Sequence, residues 1–196
     1  MAKRAPKRQV RATSLKGERL HLRILERTDI PTTTRWMNSD YIGDIMGYLP
    51  VMSMEQQLDW YDKLKNDRTR YVFAICLNKD GRHIGNVALG NVDMLHRHGM
   101  FSIFLADGGD QSKGLGSEAT RLILAFAFEK LNLNKVHLRT SGRFVQAIAM
   151  YEKLGFVKEG VMREHSFANG IYEDKIIYSM LRKEYDPLKV KTRIRK

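Results

Sequence analysis

The sequence predicts a mixed α/β fold, one sheet carrying helices on its faces. Three observations predict it. Runs rich in β-branched and aromatic residues recur along the chain, among them YVFAICL at 71–77, HIGNVAL at 83–89 and HGMFSIFLA at 98–106, and such runs read as strands. Apolar segments of helical period stand between other strand runs, the longest reaching Leu131. Asn169-Gly170 separates two further alternating runs, a strong hairpin signal. Strands interleaved with helices in this way make a sheet with helices packed on its faces.

The elements follow in order. RLHLRIL, 19–25, alternates as a strand does. Thr28 or Asp29 then caps a short helix with Pro31 in its first turn. Residues 41–52, YIGDIMGYLPVM, hold two glycines and a proline among large apolar groups, and are expected to form a loop that could wall a substrate site. Ser53 and Gln56 form a capping box for a helix running to about Asp67. The strands 71–77 and 83–89 are joined by a tight turn at 78–81, and 98–106 completes an antiparallel meander. A glycine-containing loop and the helix to Leu131 come next. A strand at 135–141, a helix at 147–154 and the hairpin strands around Asn169-Gly170 end the series.

The length of 196 residues fits one domain. No apolar run approaches the ~20 residues that span a bilayer. Cys76 is the single cysteine, which excludes an internal disulfide and a cysteine-rich zinc site, and a reducing, cytoplasmic setting is expected. No metal site is expected. The net charge of +12 is concentrated at the ends: residues 1–17 and 187–196 hold eleven basic residues and no acid. The domain is therefore expected at 18–184, between a disordered tail at 1–17 and a second basic tail at 185–196. Such tails either aid solubility or touch a polyanion such as RNA, the ribosome or DNA through its phosphates. An Arg-rich, acid-free start also fits a transit peptide.

Two glycines ahead of a long apolar helix call for an explanation, because glycine costs a helix about 1 kcal/mol relative to alanine. In DQSKGLGSEATRL, Gly114 and Gly116 serve the turn that enters the helix. Such a turn leaves backbone N–H groups unpartnered at the positive end of the helix dipole, which suits phosphate. A dinucleotide site wants a third glycine near the first strand, and a P-loop wants Gly-Lys-Ser/Thr at the helix start; neither is present. Gln111-Ser112-Lys113-Gly114-Leu115-Gly116 resembles the Q/R-x-x-G-x-G/A motif of the GNAT acetyltransferase superfamily. Ala147 to Phe156, AIAMYEKLGF, resembles that family's later A-x-x-(L/M)-Y-E-K-x-G-F segment, at the family's spacing.

The resemblance implies the GNAT fold, a mixed and mostly antiparallel sheet with helices on both faces. It also implies acetyl-CoA as cofactor and transfer of its acetyl group to a primary amine by direct attack. The pyrophosphate would be held by Gln111, Ser112, Lys113, Gly114, Leu115, Gly116 and Ser117. Backbone groups of Ile103, Phe104 and Leu105 would align the acetyl and pantetheine parts. Phe144, where the family usually has Asn, would adjoin the cofactor with Ala147, Tyr151 and Lys153. Tyr151 matches the tyrosine that protonates the leaving thiolate. For the base, His96 and His98 lie on one side of an extended chain, and imidazole titrates near neutrality; Glu26 is a second candidate, and His165 with Glu164 a third. Homodimers are common in the family.

The acceptor stays open at this level. Ribosomal-protein N-terminal and spermidine acetyltransferases share the layout. Trp36-Met37, the stretch from Trp60 to Tyr71 and His96-Arg97-His98-Gly99 resemble acetyltransferases of nucleotide-linked amino sugars, which makes such a sugar or another small amine the first expectation. Trp36, Met37, Tyr41 and Tyr48 could stack on it, and Arg35, Arg70 or Arg97 could meet phosphate. An amine associated with nucleic acid, an aminoglycoside held by acids such as Asp40, Asp44 and Glu55, and a non-catalytic CoA-binding module with nucleic-acid-binding tails are the alternatives.

Overall fold

The computed structural model describes residues 15–46, 51–107, 109, 113–168 and 170–187. The expectations placed on Tyr48, Gln111 and Ser112, and on nearly all of both tails, lie outside these residues. The elements are β1 (Leu15–Lys16), β2 (Leu20–Ile24), α1 (Ile30–Met37), α2 (Asp40–Met46), α3 (Met54–Leu64), β3 (Tyr71–Leu77), β4 (His83–Asp93), β5 (His98–Leu105), α4 (Leu115–Ala125), β6 (Lys135–Ser141), α5 (Val145–Leu154), β7 (Val157–Ala168) and β8 (Ile171–Leu181). They build one eight-stranded sheet in the order β1-β2-β3-β4-β5-β6-β8-β7. Every neighbouring pair is antiparallel except β5 and β6.

Strand alternation divides the core between the two faces. On β3, Phe73, Ile75 and Leu77 join one cluster, while Ala74 and Cys76 join another. The first and larger cluster lies under α4, whose Leu115, Ala119, Leu122, Ile123 and Phe126 form a stripe of helical spacing. Each fully buried leucine, isoleucine or phenylalanine there contributes about 1.5–3 kcal/mol. Leu25 and Ile30 build the second cluster, with Leu58 and Trp60 of α3 against it. α4 continues as a π-helical turn over Phe126–Lys130.

The structure differs from the expected layout at three places. Residues 41–52 were expected as loop, yet Asp40–Met46 is helical. Ser39 starts it: its hydroxyl accepts from the Ile42 N–H at 3.3 Å and its carbonyl from the Gly43 N–H at 2.9 Å, and Ile42 is fully buried. β4 runs four residues past Leu89, to Asp93. The sheet starts at Leu15, buried and paired with Leu22, ahead of the boundary expected at residue 18. Among the described residues no helix is long and apolar enough to cross a membrane.

Candidate active site

The parallel pairing of β5 and β6 is short. His98, Gly99 and Met100 stand opposite Lys135, Val136 and His137, and the pairing ends there. Beyond Met100, β5 stays with β4 as far as Leu105, and β6 stays with β8 as far as Ser141. The strands therefore part, and the facing backbone edges of 101–105 and 138–141 do not pair with each other. A cavity of about 1410 Å³ fills the gap. Ile103, Phe104 and Leu105 form one wall, Leu138 and Thr140 the other, and the first turns of α4 and α5 adjoin it.

Gly114 caps α4 in the left-handed region, with φ of 74°, a conformation that costs other residues roughly 1–2 kcal/mol. Gly114, Gly116 and Ser117 line the cavity; Leu115 points instead into the core. The turn is tied to the start of β2. Arg19 donates to the Lys113 carbonyl at 2.6 Å and to Glu118 Oε2 at 2.9 Å. Glu118, buried in the first turn of α4, also accepts from the Arg19 N–H at 2.8 Å. Sequence reasoning missed both residues. The available signal was a lone acid in the first turn of an otherwise apolar helix.

Tyr151 is buried and lines the same cavity, edge-on to Phe101 and Phe156. Its hydroxyl has no hydrogen-bond partner among the described residues, and burial pushes it up to about 12, so it carries its proton at neutral pH. Phe144 is the cap residue of α5 and supplies no side-chain cap; the Arg143 guanidinium lies 4.6 Å from its ring centre. Arg143 in turn bridges to Asp44 of α2 at 2.7 Å and to Glu173 of β8 at 3.0 Å, which ties α2 to the edge of the gap. Ala147 and Lys153 also line the cavity, as do Arg139, Arg143 and Lys175, which the sequence did not single out.

A second cavity, of about 510 Å³, lies over β5 on the side of α1 and α3. Met37, Gln57, Trp60, Arg70 and Asn86 are on its wall. Met100, Ser102, Ile103 and Phe104 line both cavities, so β5 is their shared partition. Of the expected acceptor contacts, Met37 and Arg70 line this cavity. Trp36 instead packs edge-on against His83, with ring centres 4.7 Å apart, and Tyr41 lines neither cavity.

Of the base candidates, His96, His98 and Glu26 are not brought to the gap, whereas His165 is. His96 and His98 do share one side of the chain, stacked with ring centres 6.5 Å apart, but they sit at the end where β5 and β6 are still paired. Their neighbour is His137, 5.7 Å from His98. Glu26 lies in the capping box of a 3-10 turn over Arg27–Asp29 and lines neither cavity. His165, on β7, is the one imidazole lining either cavity among the described residues. The first cavity can thus hold a phosphate-bearing thioester between two strands, beside a protonated phenol, with β5 as the wall it shares with the second cavity.

This is the site of an acetyl-transferring enzyme, and the chain belongs to the GNAT acetyltransferase family: the model of the acetyltransferase (GNAT) domain matches residues 19–157. It is an N-acetyltransferase that uses acetyl-CoA. The spermidine N(1)-acetyltransferase of Escherichia coli strain K12 is 30% identical over 164 residues, 84% of this chain and 87% of that enzyme. The spermidine N(1)-acetyltransferase of Vibrio cholerae serotype O1 is 30% identical over 171 residues, 86% of this chain and 96% of that one. The crystal structure of the Vibrio cholerae spermidine N-acetyltransferase in complex with CoA and spermine superposes with a TM-score of 0.82 at 29% identity, covering 86% of this chain and 99% of that one.

Proposed function

We propose that the chain acetylates a small primary amine by direct attack across β5. The acceptor enters the cavity beside α1 and α3 while acetyl-CoA lies in the gap between β5 and β6. One observation carries this reading: the two cavities share the wall formed by Met100, Ser102, Ile103 and Phe104. A nitrogen on one side of that wall then lies next to an acyl group on the other, and proximity is a large part of the rate of acyl transfer.

The residues present fit the cofactor. Gly114, Gly116 and Ser117 would take its pyrophosphate at the amino end of α4, with Arg143 and Lys153 as nearby cations. Backbone groups of Ile103, Phe104 and Leu105, free on the gap side, would align its pantetheine arm. Bound acetyl-CoA supplies an activated acyl thioester. Tyr151 holds the proton that the departing thiolate needs. No carboxylate or imidazole lines the acceptor cavity among the described residues, so the ammonium proton leaves through water.

Thiol release from acetyl-CoA with a panel of amines tests the reading. Polyamines represent the activity of the similar bacterial enzymes, nucleotide amino sugars and N-terminal peptides the other readings. Turnover with small amines that competes with a CoA analogue is expected. Tight CoA binding without thiol release across the panel would instead support a binding module.

A further inference from the structure

Resting on the assignment of the second cavity to the acceptor, we propose that Arg70 binds an anionic group of that acceptor, so that the preferred substrate is an amine carrying a phosphate or carboxylate. The acceptor cavity has no acidic residue on its wall among the described residues, and Arg70 is its only charged one. The cofactor cavity beside it likewise has no acid on its wall, but has Arg139, Arg143, Lys153 and Lys175. Of the internal segments outside the described residues, 47–50, 108, 110–112 and 169, only Asp110 is acidic. A polycation would place its ammonium groups against amides and guanidinium; an anion-bearing amine meets a complementary charge.

Arg70 lies on the wall of the acceptor cavity. Arg70 directly precedes β3, and the β3–β4 register, with Tyr71 opposite Leu89, places it beside Gly90. A side chain on Gly90 would begin 4.0 Å from Arg70 Nε, which places the guanidinium in contact range of β4 at this residue. Gly90 stands opposite Met100, the last residue of β5 before the gap opens. Adjacent strands are about 4.8 Å apart, which puts Arg70 two strands, roughly 10 Å, from the mouth of the gap. Asp67 Oδ2 lies 3.9 Å from Nε, in an exposed pair. Asp67 is itself held by the hydroxyl and N–H of Thr69, both on Oδ1. The two terminal nitrogens of Arg70 have no hydrogen-bond partner among the described residues, leaving the planar fork that matches phosphate or carboxylate. Gln56, Gln57, Asn86 and Asn91 are neutral polar residues on the same cavity wall.

The test compares matched amines in the thiol-release assay: ethanolamine with phosphoethanolamine, glucosamine with glucosamine 6-phosphate, 4-aminobutanamide with 4-aminobutyrate, and spermidine. The anionic member of at least one pair is expected to have the higher kcat/KM, and phosphate against carboxylate pairs identify the group. Arg70→Gln is expected to raise KM for that substrate on the order of tenfold, leave kcat and CoA affinity within twofold, and change the neutral partner little. Arg70→Lys should recover part of the loss. Inorganic phosphate should inhibit competitively against the acceptor in the parent and weakly in Arg70→Gln. Preference for spermidine or the neutral members, unaffected by Arg70→Gln, would overturn the proposal while leaving the acetyl-transfer reading intact. No thiol release with any amine would overturn both.

Discussion

Tyr151 shows how burial alone prepares a group for its role. With its hydroxyl pushed up to about 12 by loss of water, it carries its proton at neutral pH, as the proposed role of acid to the leaving thiolate requires. Tyr151→Phe is expected to lower kcat about 100-fold and leave CoA affinity within twofold in a titration; equal losses in both would assign the ring a packing role only. A second buried group governs stability. Burial pushes the Asp29 carboxyl up, but the bidentate Arg23 guanidinium, at 2.6 and 2.7 Å, and the Glu26 N–H outweigh it, and the net direction is down. His83, 3.6 Å from Asp29, is held below its ordinary value of 6.5 by burial, as is His137 with help from Lys135. For all three the folded value lies below the unfolded one, so stability rises with pH across the interval between them. Thermal midpoints are therefore expected to be level above about pH 6.5, fall below it as the histidines are protonated, and fall again below the carboxylate range through Asp29. His83→Gln with His137→Gln should flatten the first fall; an unchanged slope would assign it to other groups. Tyr151 was legible from its motif. The Asp29 network was not, because Arg23, Asp29 and His83 meet only when β2, β4 and the turn before α1 fold together.

Among the elements, α4 and its glycine turn are the proposed seat of the cofactor's pyrophosphate, and two different physical demands act on the two glycines. Gly114 is required by its positive φ. Gly116 has ordinary helical backbone, and a Cβ there would meet only the Met150 sulfur at 3.6 Å. A large side chain at 116 therefore keeps the fold but enters the cavity. Gly116→Leu is expected to weaken CoA binding at least tenfold with a thermal midpoint within a few degrees of the parent, as calorimetric titration and thermal melts would show; unchanged affinity would exclude the phosphate cradle from this turn. The pattern of glycines ahead of an apolar stripe made the turn readable in the sequence. Its anchor was not readable, since Arg19 and Glu118 are far apart in the chain and join through a buried carboxylate. Helix α2 was misjudged for a related reason: two glycines argued for a loop, while the Ser39 cap and the burial of Ile42 decided for a helix.

At the scale of the whole molecule, a nearly neutral domain joins two ends that hold eleven of the twelve net charges. We expect removal of residues 1–14, which stops short of the buried Leu15, to leave acetylation of a small amine unchanged and to reduce retention on an RNA or heparin column at low salt. Unchanged retention would dissociate the tail from polyanion contact. The binding gap itself is a property of the sheet. One parallel pair lies between antiparallel ones, and its register lasts three residues before β5 and β6 follow different partners.

The chain's local patterns were sufficient to determine the α/β class, nearly every strand, the glycine turn and the acetyltransferase family. Alternation, helical spacing and a loop's need for glycine act over a few residues and can be read where they stand. The separation of β5 from β6, the absence of His96, His98 and Glu26 from the walls of both cavities, and the placing of Arg70 in a cavity with no acid among the described residues depended on tertiary structure. Each turns on which strand edge or side chain meets another distant in sequence, and that is settled only by the register of the sheet and the burial it imposes.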